Sequence, residues 1–462
     1  MTQPPISAQS VPARPLAGLT YWRQVFGCQM NVSDGERVSG MLEAAGAIPV
    51  STLGEADIAV FLTCCVREKA DTRLTGQVAS LKNVPAAHPE LTSRIVCVGG
   101  CIGQRDGERL RDVLGHVDVV FGTHNLGRLV DLVTERLESG SPVCETLESG
   151  EGQGSFADLP TKRDAGWHAW VPIMTGCNNF CTYCIVPYVR GRETSRAIES
   201  IATELAGLAD QGVREVTLLG QNVNSYGRDR YGEPRFSEVL ELAATCGVDR
   251  VRFVTSHPKD LSPETIEVMA SHDTVMPQLH LPLQSGSDRI LKAMNRTYDS
   301  ARYLSLVGDL RRAMPDLALS TDVIVGFPGE TEEDFEDTCR VVSEVGYSQA
   351  FTFIYSKRAG TPAATMPGQL DSDVVQERFE RLVAIVQDSA YRENQRELGQ
   401  VVDVLVEGTS KRDANMICGR SPKNQTVHAP IPEGTGIDDL VGQVVGVRVE
   451  EARTWYLAGE IA

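Results

Sequence analysis

The stretch Met174-Thr-Gly-Cys177-Asn-Asn-Phe-Cys181-Thr-Tyr-Cys184 places three thiols in eleven residues, spaced Cys-x3-Cys-x2-Cys, directly after an apolar run. Three thiolates can hold three corners of a cubane iron–sulfur cluster and leave the fourth iron open. An open iron binds a substrate or cofactor, which a fully ligated electron-transfer cluster does not. The alternatives are a zinc site short of one ligand or three ordinary thiols. Structural zinc takes four protein ligands, and no Cys or His follows at short range.

Outward from this stretch, the chain from Trp167 reads as a βα series. Strands are expected to end at Thr175, Gly220, Ser256, about Leu283, about Val325 and Tyr355. Helices are expected over Ile201–Gln211, Val239–Thr245, Pro263–Ala270, Asp288–Met294, Tyr303–Met314 and Glu332–Val345. Six such units make a partial (β/α)6 barrel whose active face lies at the strand carboxyl ends. The cysteine triad follows the first strand and Gly220-Gln221-Asn222 the second. Ser256-His257-Pro follows the third, Gln284-Ser-Gly286 the fourth and Gly326-Phe-Pro-Gly-Glu330 the fifth. Each is ordinary turn chemistry alone; recurring at successive strand ends, they describe a lined site.

Residues 20–140 alternate in the same manner. Strands are expected at Tyr21–Phe26, Asp57–Leu62, Ile95–Val98 and Val117–Phe121. Helices are expected from the capping box Ser33-Asp-Gly-Glu36, from about Arg67 to Leu81, and over Leu126–Leu137. This alternation is that of a doubly wound parallel sheet. Cys28, Cys64 and Cys101 each lie just after a strand, where open α/β sheets hold their ligands, and so form a candidate second three-thiol site. Cys97 falls inside a strand and reads as a small core hydrophobe. Cys65 reads as a bystander, and Cys144 has no partner pattern.

Residues 1–18 read as a floppy tail without the apolar core of a signal peptide. Residues 19–140 form the N-terminal domain, and 141–166 a Gly-, Ser- and acid-rich linker. Residues 167–398 form the central domain, closed by a charged helix over Val374–Leu398. Residues 399–462 show short strands at Val402–Val406, Ile417–Arg420, Thr426–His428, Val444–Glu450 and Trp455–Ala458, a small all-β barrel. Its loops hold Lys411, Arg412, Arg420 and Lys423.

Composition bounds these readings. At 462 residues, 42% hydrophobic and 6% aromatic, the chain is expected to be soluble and globular with two to four domains. No apolar run approaches the roughly 20 residues of a membrane span. Twelve cysteines without a secretion signal point to metal or redox chemistry in the cytoplasm, not to a disulfide scaffold. A net charge of −18 makes the whole surface a poor non-specific nucleic-acid binder. Nucleic acid would need a local basic patch, and the four cations of the last module are the candidate; a merely solvated basic loop is the alternative.

The Cys177/Cys181/Cys184 triad resembles the signature of radical S-adenosylmethionine enzymes. Further stretches narrow the resemblance to the radical S-adenosylmethionine methylthiotransferase family, and within it to the MiaB-type tRNA-modifying group. They are Phe26-Gly-Cys-Gln-Met-Asn31, Thr63-Cys-Cys-Val-Arg-Glu68, Gly100-Cys101, Phe121-Gly-Thr-His-Asn125, Pro187-Tyr-Val-Arg-Gly-Arg-Glu193, His280-Leu-Pro-Leu-Gln-Ser-Gly-Ser287, Asp322-Val-Ile-Val-Gly-Phe-Pro-Gly329 and Tyr355. Gly419-Arg-Ser-Pro-Lys-Asn-Gln425 lies in what looks like a TRAM RNA-binding domain. The likeness runs from about Thr20 to Ala462. It departs at Leu62, usually Asn in the family, at Val189, usually Thr, and at Lys357 and Ala359, where prolines are common.

The resemblance implies two [4Fe–4S] clusters. One, on Cys177, Cys181 and Cys184, would bind S-adenosylmethionine at its open iron and generate a 5′-deoxyadenosyl radical. The auxiliary cluster, on Cys28, Cys64 and Cys101, would carry the sulfur. Gln221, Asn222, Ser256, Gln284 and Asp322 would hold the polar groups of S-adenosylmethionine. Two molecules of it would be used per turnover, to methylthiolate C2 of N6-isopentenyl-adenosine 37 beside the tRNA anticodon. Lys411, Arg412, Arg420 and Lys423 would contact tRNA phosphates, with Arg190, Arg192 and Arg196 nearer the anticodon loop. The electron donor would be a low-potential protein such as flavodoxin or ferredoxin, and the enzyme a cytoplasmic monomer without membrane contact. Rival readings are methylthiolation of threonylcarbamoyl-adenosine or of a ribosomal protein side chain. A further rival is a non-enzymatic RNA-binding or electron-carrier protein, which would be expected to carry four thiolates per cluster.

Overall fold

A computed structural model describes residues 14–65, 68–81, 86–88, 91, 93–147 and 159–462. The chain divides into two units, Met1–Asp164 and Ala165–Ala462.

In the first unit, six strands form one parallel sheet. Its strands are β1 (Thr20–Phe26), β2 (Ile48–Pro49), β3 (Ile58–Thr63), β4 (Ile95–Gly100), β5 (Val119–Phe121) and β6 (Val143–Glu145), in the order β2-β1-β3-β4-β5-β6. The central members, β3 to β5, are fully buried. Ile58, Val60 and Leu62 pack with Val38, Leu42 and Leu129 on one face. Ala59 and Phe61 pack with Leu74, Val78 and Leu110 on the other. A strand covered on both faces needs an unbroken apolar run, which β3 and β4 supply.

Three expectations are corrected here. The first helix spans Gln29–Ala44 with Cys28 at its N-cap, so it begins four residues before the Ser33 capping box. Ser33 is buried inside it, and its hydroxyl accepts a 2.6 Å bond from Arg37. The turn out of β1 is only Gly27-Cys28, so strand and helix join directly. Second, β6 extends the sheet into the expected linker and carries Cys144. Third, Leu16 is fully buried and its N–H donates to the Ala45 carbonyl at 3.1 Å, so Arg14–Gly18 pack against the first helix. Residues 1–13 of the expected tail, 148–158 of the expected linker, and Val66 and Arg67 lie outside the described residues.

In the second unit the central strands are β7 (His168–Pro172), β10 (Glu215–Leu219), β11 (Arg250–Phe253), β12 (Gln278–His280), β13 (Ala318–Val325) and β14 (Gln349–Ile354); a short antiparallel pair, β8 (Met174–Thr175) and β9 (Thr194–Ser195), frames the cysteine loop. β7, β10 and β11 pair in parallel, as do β12, β13 and β14. A parallel bridge between Val251 and Val275 joins the two triplets. The result is a six-stranded partial barrel. Its helices span Ile198–Asp210, Phe236–Ala244, Pro263–Ser271, Asp288–Ala293, Ser300–Ala313 and Glu332–Val345. β12 stops at His280, short of the expected Leu283, because Pro282 has no N–H to continue the ladder; a single bridge from Gln284 to Val323 resumes it.

The helix Ser372–Gln395 buries Val375, Leu382 and Val386 in the barrel core. It leads into a closed barrel of β15 (Val401–Thr409), β16 (Met416–Arg420), β17 (Thr426–Pro430), β18 (Val444–Ala452) and β19 (Leu457–Ile461), ordered β15-β16-β17-β19-β18. Val404, Val406, Ile417, Val427, Val447 and Leu457 fill it. Arginines of β11 fasten this barrel to the central sheet. Arg250 donates to the Arg420 and Asp403 carbonyls at 2.9 and 3.1 Å. Arg252, paired with Glu215 at 2.9 Å, donates to the Ser421 and Pro422 carbonyls at 2.8 and 3.0 Å. No helix of the described residues is long and apolar enough to cross a membrane.

Candidate active site

In the first unit, β1, β3 and β4 are adjacent parallel strands, so the residues after their carboxyl ends converge. Cys28 caps the helix after β1, Cys64 follows β3, and Cys101 opens the helix after β4. The Cys64 N–H donates to the Phe26 carbonyl at 3.2 Å, drawing the first two loops together. The Cys64 thiol meets both of the others: hydrogen bonding to Cys101 and Cys28, then burial, pushes it up. Asn31, fully buried, spans the group, donating to the Phe26 carbonyl at 3.1 Å and accepting from the Cys101 thiol at 4.0 Å. Gly27 lies so close that a Cβ there would sit 2.3 Å from the Cys64 Cβ. Cys97 is buried in mid-strand, as expected of a small core hydrophobe, and Cys65 is buried beside Cys64.

In the second unit the triad loop leaves β8 through Gly176, whose φ is +77° and whose added Cβ would lie 2.0 Å from the Arg192 carbonyl oxygen. The loop is latched along its length. Cys177 N–H donates to the Gly191 carbonyl at 3.1 Å and Thr182 N–H to the Met294 carbonyl at 3.0 Å. The Thr182 hydroxyl reaches the Ala293 carbonyl at 2.9 Å, and Asn295 donates to the Asn179 and Phe180 carbonyls at 3.1 and 3.0 Å. Burial pushes the thiols up, Cys177 to about 11 and Cys184 to about 12. Left as thiols they would stay protonated at neutral pH; bound iron stabilises the thiolate. Among the described residues no three His, Cys, Asp or Glu side chains are arranged as ligands of a single metal ion. A cubane differs, because each thiolate binds a separate iron.

Unpaired polar atoms gather just after β10 and β11, which share a sheet with β7. Among the described residues Gln221 Oε1, Asn222 Oδ1, Asn224 Nδ2 and Ser256 Oγ are buried without a hydrogen-bond partner. Each such atom costs about 1–3 kcal/mol unless a ligand or water satisfies it. Asn222 is fixed from its other end, its amide donating to Asp260 at 2.7 Å. Backbone strain gathers here too: Phe180, Thr255, Gln284 and Asn295 are non-glycine residues at positive φ. Such conformations persist where surrounding structure enforces them, and they concentrate at functional sites. The buried polar atoms and the three thiols together fit a cluster with a small polar cofactor beside it.

The other expected contacts are placed differently. Gln284 is buried, with its N–H bonded to the Asp322 carbonyl at 2.8 Å. Asp322 Oδ2 lies 3.4 Å from His280 Nε2 on the sheet's inner side. Arg190 is buried, and Arg196 is committed to the Pro172 carbonyl, Glu204 and Ser200; neither is a surface cation. Arg192 is exposed, its guanidinium 4.3 Å from the Phe180 ring centroid. Of the basic quartet, Lys411 and Arg412 are exposed in the turn between β15 and β16. Arg420 is bonded to Thr426 at 3.0 Å and paired with Glu407 at 3.5 Å; Lys423 is paired with Glu397 at 2.9 Å. Sequence reasoning missed Asn224, Glu193, Asp260 and Arg296. Glu193 closes the stretch Pro187–Glu193 but was given no role there; Asn224, Asp260 and Arg296 belong to no spaced motif, and only the fold brings them together.

Comparison with known proteins follows the same partition. Residues 20–122 match Uncharacterized protein family UPF0004, residues 171–342 the Radical SAM superfamily and residues 395–462 the TRAM domain. Among solved structures, a radical S-adenosylmethionine methyltransferase from Kitasatospora setae shares the fold with a TM-score of 0.54 and 13% identity, over 75% of each chain. The chain is 45% identical to the tRNA-2-methylthio-N6-dimethylallyladenosine synthase of Thermoanaerobacter sp. (strain X514), over 96% of this chain and 93% of that one. It is 45% identical to the synthase of Carboxydothermus hydrogenoformans, over 96% and 99%, and 46% identical to that of Moorella thermoacetica, over 94% and 97%. Identity at this level across nearly the whole length is not a shared fold alone: the chain belongs to the family of the tRNA-2-methylthio-N6-dimethylallyladenosine synthases, within the Radical SAM superfamily.

Proposed function

We propose that the chain methylthiolates C2 of N6-isopentenyl-adenosine 37 in tRNA. The observation that carries this reading is the presence of two separate three-thiol sets, one after the carboxyl ends of β1, β3 and β4 and one in the loop after β8, in a chain that matches its relatives over 94–96% of its length. Cys177, Cys181 and Cys184 would hold one [4Fe–4S] cluster and Cys28, Cys64 and Cys101 the other. When bound, the central cluster with S-adenosylmethionine supplies a carbon-centred radical, and the auxiliary cluster the sulfur to be inserted. Two S-adenosylmethionine molecules per turnover follow, one as methyl donor and one as radical source.

The chain's own residues position and shield. Gln221, Asn222 and Ser256 offer buried polar atoms to the cofactor, with Gln284 and Asp322 on the neighbouring strands. Satisfying those atoms favours the bound cofactor over water. Lys411 and Arg412 are free to reach tRNA phosphates, which position the substrate without specifying it. With this reading go a cytoplasmic location, a low-potential donor such as flavodoxin or ferredoxin, and action as a monomer.

Nucleoside mass spectrometry of tRNA from a strain lacking the gene tests the assignment. Loss of the 2-methylthio mark with the isopentenyl group intact is expected; an unchanged profile refutes it.

A further inference from the structure

Arg296 follows the helix Asp288–Ala293 and is buried against the central triad. Its Nη1 lies 3.6 Å from Cys181 Sγ. Nε donates to the Tyr298 hydroxyl at 3.0 Å and Nη2 to the Pro282 carbonyl at 3.0 Å. Among the described residues none of its hydrogen-bond partners is a carboxylate. A guanidinium does not shed its proton in a protein, and a buried charge without a counter-charge is costly. The Tyr298 phenol is held neutral by burial, and Pro282 offers only a carbonyl, which leaves Cys181 as the partner that becomes an anion, by ligating iron.

We propose that Arg296 is a positioning residue that sets the reduction potential of the central cluster through Cys181. The inference rests on the reading that Cys181 is a cluster ligand. Hydrogen bonds to cluster sulfurs and nearby charge are established determinants of cluster potential. A fixed cation donating to the thiolate stabilises the added electron, so the reduced cluster is favoured. One electron enters from an external low-potential reductant, and no bond is made or broken in this step. The Tyr298 and Pro282 contacts hold the fork in place, so the charge cannot turn away from the sulfur.

The test uses the full chain carrying Cys28→Ala, Cys64→Ala and Cys101→Ala, reconstituted anaerobically with iron and sulfide, so that one cluster is observed. Reduced cluster is read by electron paramagnetic resonance during a redox titration against titanium(III) citrate. Arg296→Met is expected to lower the ratio of reduced to oxidised cluster about tenfold at a fixed poise, about 59 mV for a one-electron couple. Arg296→Lys, which keeps the charge, should lower it less than threefold. An unchanged ratio in Arg296→Met with full iron content overturns the proposal, as does a Lys variant that falls as far as the Met variant. Where Arg296→Met does not retain iron, Arg296→Gln against Arg296→Lys makes the same comparison with the same two outcomes. Failure of the parent protein to bind a cluster is a separate result, which removes Cys181 as a ligand.

Discussion

Asn178 and Glu193 clasp each other across the triad loop. The Asn178 N–H donates to Glu193 Oε1 at 3.2 Å and its amide to Oε2 at 3.4 Å, while the Glu193 N–H donates to Asn178 Oδ1 at 3.4 Å. The residue after the first cysteine is thereby tied to the strand pair that closes the loop. Burial holds the Glu193 carboxyl above its ordinary range, although the Asn178 N–H and the Ser225 hydroxyl pull it down.

That clasp carries a pH dependence of definite sign. A carboxyl whose folded pKa is raised is fully accommodated below its unfolded value. It loses stability as pH rises from there through the folded pKa. Glu193→Gln cannot ionise, so its stability relative to the wild type should rise as pH climbs from about 4. Glu193→Ala leaves the Asn178 N–H without its acceptor and should cost about 1–3 kcal/mol. Melting temperatures of the three proteins at stepped pH decide it, and a wild-type-to-Gln gap that stays constant contradicts the assignment.

Gly27→Ala should damage one site and spare the other. Gly27 sits at φ +118°, where a side chain costs roughly 1–2 kcal/mol, and its Cβ would overlap that of Cys64. Bound iron is expected to fall by about half, while release of 5′-deoxyadenosine from S-adenosylmethionine persists. Iron analysis and chromatography of the reduced, anaerobic protein give both readings; full iron content would show that Cys64 need not stay where it is.

The two cysteine sets should separate the same way, more sharply. Replacing Cys177, Cys181 and Cys184 by Ala should abolish 5′-deoxyadenosine release. Replacing Cys28, Cys64 and Cys101 should halve the iron and stop methylthiolation while leaving release in place. Loss of release from the second protein would reverse the proposed division of labour.

RNA contact is testable through salt. Each lost phosphate contact flattens the dependence of log affinity on log salt by roughly 0.7–0.9. The pair Lys411→Ala/Arg412→Ala should flatten it by about 1.5. Lys423→Ala should do less, because its ammonium is already paired with Glu397 at 2.9 Å and lies 3.7 Å from Asp316. Titrations with tRNA at stepped salt distinguish them, and equal slopes for the two variants would place the contact elsewhere.

Periodicity made the scaffold legible because both sheets are parallel and covered. Strands such as β3 and β4 are continuous apolar runs, and helices begin at recognisable caps such as Thr331 and Ser262, each of which bonds an N–H of its helix. The places of the six cysteines after strands were readable from their spacing and from the apolar runs before them. The first helix was misplaced because a pattern of Ser33 and Glu36 reads alike at a terminus and in a helix interior. β6, three residues long at a sheet edge, carries too little pattern to stand out from a linker. Arg296 was invisible for a different reason. Its partners Cys181 and Pro282 are 115 and 14 residues away in the chain, and only the closing of the barrel brings them to its guanidinium.

The small barrel is mounted by residues at the leading ends of the central strands. Arg250 opens β11 and Trp167 immediately precedes β7, where a Cβ on Gly442 would lie 2.8 Å from the Trp167 Cβ. The triad loop and the unpaired polar atoms occupy the trailing ends of the same sheet. One strand length, roughly 16 Å for the five residues of β10, therefore separates the mounting of the small barrel from the triad loop. Binding energy at Lys411 and Arg412 that is equal before and during reaction lowers KM and leaves kcat alone. A truncated stem-loop should be a weak substrate that, once saturating, turns over at the full rate.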